Sequence, residues 1–463
     1  MKCDKSLSFE ECELSILRTS VDKMQKSQAT KLIQNEETKT IIEIVEKFIQ
    51  KNNCICYGGT AINNILPKEA QFYDKKTEFP DYDFYSPNAL KHAKELADLY
   101  LKKGFTLIEA KSGVHHGTYK VFVNYLPVAD ITQIDDEIFA TLKKESISRN
   151  KILYCSPNFL RMGMYLELSR PLGDVSRWEK VLKRISLLNK HYPLLGEDCK
   201  QEAIQRLFES TQISESKVYE TLRNIFVDNN CVFFGAMAYR LYSKYIPEKE
   251  KCKIKKIPDF DILAENPVDI CDKIVNIFSK MNYKDVNIVE HEPIGEIISR
   301  HYEVIIDKDT VAFIYEPLAC HSYNIINKSK SVRVATIDTM MSFYLAFLSV
   351  NRTYYNKNRL LCICEFLFKI QQKNRLKQKG LLKRFSMNCI GTQPTLISMR
   401  KEKSDKFEEL KNKRNSKEWE EWFLTYSPSP SVKKSSTSTS TSKSKSKTKK
   451  KVTSKSKSKT VKK

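Results

Sequence analysis

A chain of 463 residues is long enough for two or three domains with real cores, and 41% hydrophobic with 29% charged residues suits a globular protein. No apolar run approaches the length of about 18 residues that a membrane span needs, the longest lying near Phe343 to Val350, and Met1-Lys2-Cys3-Asp4-Lys5 lacks the basic-then-apolar pattern of a secretory signal. The net charge is +23; 13 lysines and no acid lie in Ser427 to Lys463, so the tail and the body are both basic and suit a polyanionic partner.

Residues 1–35 read as a polar N-terminal extension, weakly helical from Ser8 to Met24. Glu36 to Asn52 sets Ile41, Ile42, Ile44, Val45, Phe48 and Ile49 at helical spacing, and the apolar run Ile55 to Tyr57 follows. Tyr57-Gly58-Gly59-Thr60 then turns into the helix-like stretch Ala61 to Leu66. Phe79 to Phe84 reads as a strand, Ala89 to Lys103 as an amphipathic helix ended by Gly104, and Tyr119 to Tyr125 as a strand with Pro127 to Ile131 as its continuation or its neighbour. The spacing predicts a mixed α/β unit over 36–145 and a helical connector over 146–210, with helices at Pro157 to Leu168, Val175 to Leu188 and Glu202 to Phe208. Residues 332–375 again read as helical. There Met340, Met341, Phe343, Tyr344, Leu345, Phe347 and Leu348 form an apolar surface expected in the core, a dimer face being the lesser reading. Lys401 to Phe423 reads as a charged helix, and the Ser/Thr/Lys tail over 426–463 as disordered by composition.

The 13 cysteines scatter from Cys3 to Cys389; Cys54/Cys56 and Cys362/Cys364 are C-x-C pairs with no histidine at zinc spacing. They are expected to be reduced core thiols in a cytosolic compartment. His115-His116 has no third ligand in register and is expected in a loop or at a strand edge.

In Phe79-Pro80-Asp81-Tyr82-Asp83-Phe84 the two carboxylates stand at i and i+2 and share one strand face, while Tyr82 and Phe84 point to a core. Two ionised carboxylates about 4 Å apart repel by roughly 4 kcal/mol at an effective dielectric of about 20, so the pair needs a proton or a cation. A divalent metal with oxygen ligands meets that need. Asp130, among small apolar residues, completes a three-carboxylate cluster of the kind that binds one or two Mg²⁺ (or Mn²⁺) ions and steers a phosphoryl displacement. Gly58 and Gly59 at a helix start, with Thr60 beside them, let backbone N–H groups approach a triphosphate closely. Arg161, Arg177, Lys180, Lys183 and Arg184 are candidates to grip triphosphate or a nucleic-acid backbone, Arg161 and Lys180 foremost; a solvated helix face is the plain alternative for each.

The chain also repeats itself. "NNCICYGGTA" from Asn52 returns as "NNCVFFGAMA" from Asn229, and "FPDYDF" from Phe79 returns as "IPDFDI" from Ile257, so the spacing inside the two copies agrees to within one residue. In the second copy Gly59 becomes Ala236, and "TVAFIYEP" from Thr310 puts Phe313 in place of Asp130. With Asp259 and Asp261 left alone, this copy is expected to be catalytically dead and kept for scaffolding, RNA contact or self-association.

A glycine turn, a D-x-D strand and a lone Asp on a later strand resemble the nucleotidyltransferase superfamily of DNA polymerase beta type. The words "CYGGTAINNILP", "FPDYDFYSPNALKHAKELADLYLKKGF" and "LPVADIT" resemble more narrowly the poly(A) polymerase catalytic subunits of large nucleocytoplasmic DNA viruses, densely over 54–195 and thinly beyond. The resemblance implies an α/β (α+β) fold with two nucleotidyltransferase-like mixed-sheet units from an internal duplication. The catalytic unit would span 36–145 and the degenerate one 211–325, followed by a helical C-terminal region at 326–425. It implies a template-independent polynucleotide adenylyltransferase that adds poly(A) to mRNA 3′ ends from ATP by a two-metal mechanism, with Asp81, Asp83 and Asp130 as catalytic metal ligands. Gly58, Gly59 and Thr60 would contact phosphates. The implied partners are ATP and an RNA 3′ end, without a membrane, and with processivity from a homodimer or from a separate subunit; the implied location is the host cytoplasm, in a viral factory, or the virion. Two rival readings remain: another nucleotidyltransferase with an oligonucleotide or small-molecule acceptor, and a nonenzymatic RNA-binding subunit.

Overall fold

A computed structural model of the chain describes residues 6, 8–74, 79–202, 204–206, 215–253, 259–283, 285–327, 330–374 and 377–429. The tail beyond Ser429 and the Ile257-Pro258 half of the repeated motif lie outside them. After α1 (Phe9–Gln34), α2 (Glu36–Asn52) starts where the Asn35 side chain accepts from the Glu37 N–H and stops at Asn53 in a left-handed conformation. It buries Ile41, Ile44, Val45, Phe48 and Ile49, the face its apolar spacing predicts. The first sheet region follows as β1 (Ile55–Cys56), α3 (Gly58–Ile65), β2 (Tyr82–Ser86), α4 (Ala89–Lys102), β3 (Ile108–Ser112), β4 (Thr118–Val123) and β5 (Leu126–Gln133). It continues through α5 (Asp136–Glu145), β6 (Ile147–Arg149), β7 (Ile152–Tyr154), α6 (Pro157–Leu168) and α7 (Trp178–His191). The second region is α8 (Glu215–Asp228), β8 (Val232–Phe234), α9 (Gly235–Tyr242), β9 (Phe260–Leu263), α10 (Pro267–Lys280), β10 (Val286–His291), β11 (His301–Ile306) and β12 (Asp309–Tyr315). It is completed by β13 (His321–Asn327), β14 (Ser331–Ala335), α11 (Ile337–Phe347) and α12 (Lys357–Lys373). The described residues close with β15 (Cys389–Ile390), α13 (Leu396–Leu410), α14 (Lys417–Phe423) and β16 (Thr425–Tyr426).

Both regions build an eight-stranded mixed sheet, and the duplication read from two short words extends through seven strands of each. The first sheet runs β16-β3-β4-β5-β2-β1-β7-β6 and the second β10-β11-β12-β9-β8-β14-β13-β15. The β5/β2 and β1/β7 contacts are parallel and the other pairs antiparallel, and the matching β12/β9 and β8/β14 contacts are parallel in turn. Even the irregularity repeats: the register shifts after Val121, opposite Ala129, and after Val304, opposite Ala312. Helices α6 and α11, which follow β7 and β14, pack against one another.

Several elements depart from the sequence reading. Ile152–Tyr154 and Ser331–Ala335, read within helical stretches, are strands, because each supplies the parallel partner that β1 and β8 require. Pro127 to Ile131 is a neighbouring antiparallel strand. The expected helix from Glu202 is absent in its described part: Ile204 N–H donates to the Lys253 carbonyl and Arg206 N–H to Asp259, so tertiary bonds take the backbone instead. The charged helix splits into α13 and α14 around Ser416, which caps the second. Every residue of α11 is buried, so the apolar surface there is core. The cysteines need a correction too, since Cys199 is bonded to Cys362 and Cys320 to Cys389. Both pairs join segments far apart in sequence, which spacing cannot reveal, while seven other described cysteines are free and buried as expected.

Candidate active site

The site is assembled where β2 leaves α3 and meets β5. Tyr82 and Phe84 enter the core, which turns Asp81 and Asp83 to the opposite face. Asp83 and Asp130 are direct partners across the parallel pair, so the three aspartates read from the sequence do meet on one sheet face. Burial first, then Asp81, then Asp130 push the Asp83 carboxyl up to about 7, and burial followed by Asp130 raises Asp81. Lys120, the cross-strand partner of Asp130 on β4, is ion-paired to it. Among the described residues the carboxylates are therefore neighbours without being closed into a metal cage. Three oxygen-donor side chains, one pushed toward neutrality by burial and then by its neighbours, suit a hard divalent cation that would relieve their repulsion.

Gly58 is where the chain needs a glycine. Its φ is +72°, and a Cβ there would collide with the Asp83 carboxylate, so the start of α3 and the β2 carboxylate touch only because the side chain is missing. The Tyr57 N–H donates to the Asp83 carbonyl at 2.9 Å, fixing this approach. Gly59 serves otherwise: a Cβ would meet the Tyr73 hydroxyl at 2.6 Å and an Arg184 nitrogen at 2.7 Å, so its smallness admits Arg184. The Thr60 hydroxyl donates to the Asp81 carbonyl at 2.7 Å, which makes it a brace for the D-x-D strand. A cavity of about 240 Å³ opens beside Asp81, Thr60, Asn63, Tyr73 and Phe79.

The basic residues divide. Arg161 is only 1% exposed and donates to Asn189, Asn158 and the Leu188 carbonyl, tying α6 to α7; its expected nucleotide role is corrected to a structural one, since burial consumes its donors. Lys183 pairs with Glu179 on the solvent side. Arg177 and Lys180 act electrostatically on Asp83 and Asp81, and Arg184 reaches the Gly59 turn. His115-His116 lies in the β3–β4 turn, with His116 against Trp422 at 4.2 Å.

The second unit carries the same geometry with altered chemistry. Asp261 pairs in register with Phe313 as Asp83 does with Asp130, and Gly235 repeats the positive φ of Gly58 against Asp261. Arg206 reaches Asp259 at 2.6 Å and Asp261 at 2.9 Å. The sequence reading missed Lys120 and Arg206. Only cross-strand register marks the first, and nothing in the linear pattern marks the second.

A glycine turn against paired carboxylates on a mixed sheet is the arrangement that the resemblance to nucleotidyltransferases of DNA polymerase beta type implies. Residues 43–174 match the family model described as Poly(A) polymerase catalytic subunit. Curated relatives bearing that name include one from African swine fever virus (isolate Pig/Kenya/KEN-50/1950), 33% identical over 164 residues, or 34% of each chain. Another, from Acanthamoeba polyphaga mimivirus, is 31% identical over 215 residues, 45% of this chain and 36% of its own. The matches thus span about a third of the length of these relatives. The crystal structure of the Megavirus polyadenylate synthase superposes with a TM-score of 0.74 at 20% identity, covering 92% of this chain and 88% of that one, so the fold is shared through both sheets. The resemblance to viral poly(A) polymerase catalytic subunits read from the sequence is thus met in family, relatives and fold.

Proposed function

We propose that this chain is a template-independent polynucleotide adenylyltransferase that extends RNA 3′ ends from ATP. The observation that carries the reading is the meeting of Asp83 and Asp130 in register beneath the Gly58 turn, within the segment that matches the family. Asp81, Asp83 and Asp130 would hold divalent cations, Mg²⁺ or Mn²⁺. Such ions, when bound, neutralise charge on the attacking and leaving oxygens. The backbone at Gly58 and Gly59, with Lys180 and Arg184, supplies positive charge for the triphosphate. Burial, then Asp81, then Asp130 raise the Asp83 carboxyl, and bound cations would relieve that repulsion. Thr60, bonded to the Asp81 carbonyl, and Lys120, bonded to Asp130, hold two of the three acids in place.

A basic tail and body support RNA rather than a small acceptor, and the raised acids and open glycine turn support an enzyme rather than a vestigial subunit. No described helix is long and apolar enough to cross a membrane. The test is incorporation of each of the four nucleotides onto a short RNA primer with Mg²⁺ or Mn²⁺. Adenylate extension is expected; equal use of all four, or none, overturns the reading.

A further inference from the structure

Helix α7 and the residue before it carry three cations, of which Arg177 is paired with Glu167 while Lys180 and Arg184 have no ion pair among the described residues. Arg177, Lys180 and Arg184 recur at three- and four-residue spacing and so share one face. Lys180 makes no hydrogen bond or ion pair among the described residues, and Arg184, then burial, then Arg177 lower its pKa. Crowding of this kind is relieved by an anion. Arg184 donates to the Tyr73 hydroxyl at 2.5 Å and lies over the Phe72 and Tyr73 rings at 5.2 and 5.7 Å, with no carboxylate paired to it among the described residues. Seven residues of α-helix rise about 10 Å, so this stripe has room for a triphosphate at the Arg184 end and a strand phosphate at the Arg177 end.

At that second end stands an aromatic pair. The Trp178 and Phe385 rings lie 5.2 Å apart, tilted by 31°. The Trp178 indole donates to the Glu167 carbonyl at 3.0 Å, and the Glu167 carboxylate holds Arg177 at 3.1 Å, so one residue sets ring and guanidinium together. On the other side Arg384, next to Phe385, is clamped to buried Asp338 by bonds of 2.7 to 3.1 Å. Phe385 is nevertheless 39% exposed, and Met387, Leu172 and Val175 are exposed as well. A rigidly mounted, half-open ring pair at the end of a cationic stripe is the surface that a single-stranded polynucleotide recognises, with bases stacking and phosphates meeting charge.

We infer that Trp178 and Phe385 form a stacking platform for a base of the acceptor RNA strand, with Arg177 on its phosphate. The inference rests on the reading of RNA as acceptor, and it places the platform at the end of the stripe away from the Gly59 turn, which separates it from the incoming triphosphate.

The test uses the full chain and a short single-stranded oligoadenylate with a free 3′-hydroxyl. Binding is followed by fluorescence anisotropy at about 200 mM salt to mute the lysine tail, beside separate KM values for primer and ATP. Phe385→Ala is expected to weaken strand binding about tenfold and to raise the primer KM to match, with the ATP KM within about twofold and Phe385→Tyr restoring both. A melting curve like the parent's shows that the variant is folded. A folded Phe385→Ala protein that binds the strand as the parent does overturns the platform. A rise confined to the ATP KM also overturns it, assigning the rings to the incoming base. If the parent adds no nucleotide but its strand binding falls in Phe385→Ala, the platform stands and the adenylyltransferase reading fails.

Discussion

Phe313 stands opposite Asp261 at the register position that Asp130 holds opposite Asp83. The Arg206 guanidinium covers that ring at 4.6 Å while reaching Asp259 and Asp261, so a side-chain cation neutralises the second aspartate pair. Removing both aspartates strands a buried guanidinium, and Asp259→Ala with Asp261→Ala should cost about 3–5 kcal/mol of stability. Arg206→Met with Asp259→Asn and Asp261→Asn removes the charges together and should fold. We expect that triple variant to extend a saturating primer within a few-fold of the parent rate, whereas Asp81→Asn with Asp83→Asn abolishes extension. A folded but inactive triple variant would make the second unit part of the catalytic machinery.

The raised Asp83 carboxyl has a sign that can be measured. Its folded value is about 7 against an ordinary 3.8, so the folded state holds the proton more tightly than the unfolded chain does. Stability from this group is complete below about 4 and is lost as pH rises through about 7 in metal-free protein. Asp83→Asn should therefore raise the metal-free melting temperature more at pH 8 than at pH 5. Divalent cation should stabilise the parent increasingly over the same interval and the variant far less. A variant whose melting tracks the parent at every pH would show that Asp83 is not strained.

Arg161 and Lys180 were equal candidates in the sequence and should separate by readout. Arg161→Ala leaves the Asn158 and Asn189 side chains and the Leu188 carbonyl without their donor, and should cost about 3 kcal/mol or more, read in a urea melt. Lys180→Ala, on an exposed position of α7, should leave the melt unchanged and raise the KM for ATP about tenfold. The opposite pattern would return Arg161 to the site.

That contrast shows where the sequence was legible. Tyr82 and Phe84 alternate with Asp81 and Asp83, and period-two alternation places carboxylates on one face without knowledge of the fold. The repeat was legible because both D-x-D words sit at matching distances from their glycine turns. Long-range partners were not: Lys120 meets Asp130 only through hairpin register, and Arg206 reaches Asp259 from 53 residues away in the chain, a distance that no periodicity encodes. Burial of a single arginine is likewise a tertiary property, since Arg161 and Lys180 both occupy amphipathic helices and only packing of α6 on α7 tells them apart.

The equivalent glycines provide the sharpest test of the division of labour. Gly58 has φ of +72° and Gly235 of +66°, and a Cβ at either would strike the second aspartate of its own D-x-D strand. Alanine in this conformation costs roughly 1–2 kcal/mol before any collision is counted, so both Gly58→Ala and Gly235→Ala should lower stability, Gly235→Ala the more because its Cβ also presses on the Asp261 Cβ and Cγ. Their consequences for activity should differ, because only the first displaces a carboxylate that faces Asp130. Gly58→Ala is expected to lose adenylate addition almost entirely, and Gly235→Ala to keep it within a few-fold in the folded fraction. Gly59→Ala meets the far ends of Tyr73 and Arg184, which can yield, so it should raise the KM for ATP while preserving turnover. Primer extension normalised to folded protein decides among these outcomes. If Gly235→Ala proves as damaging to turnover as Gly58→Ala, the two units work as one site and the second is no silent copy.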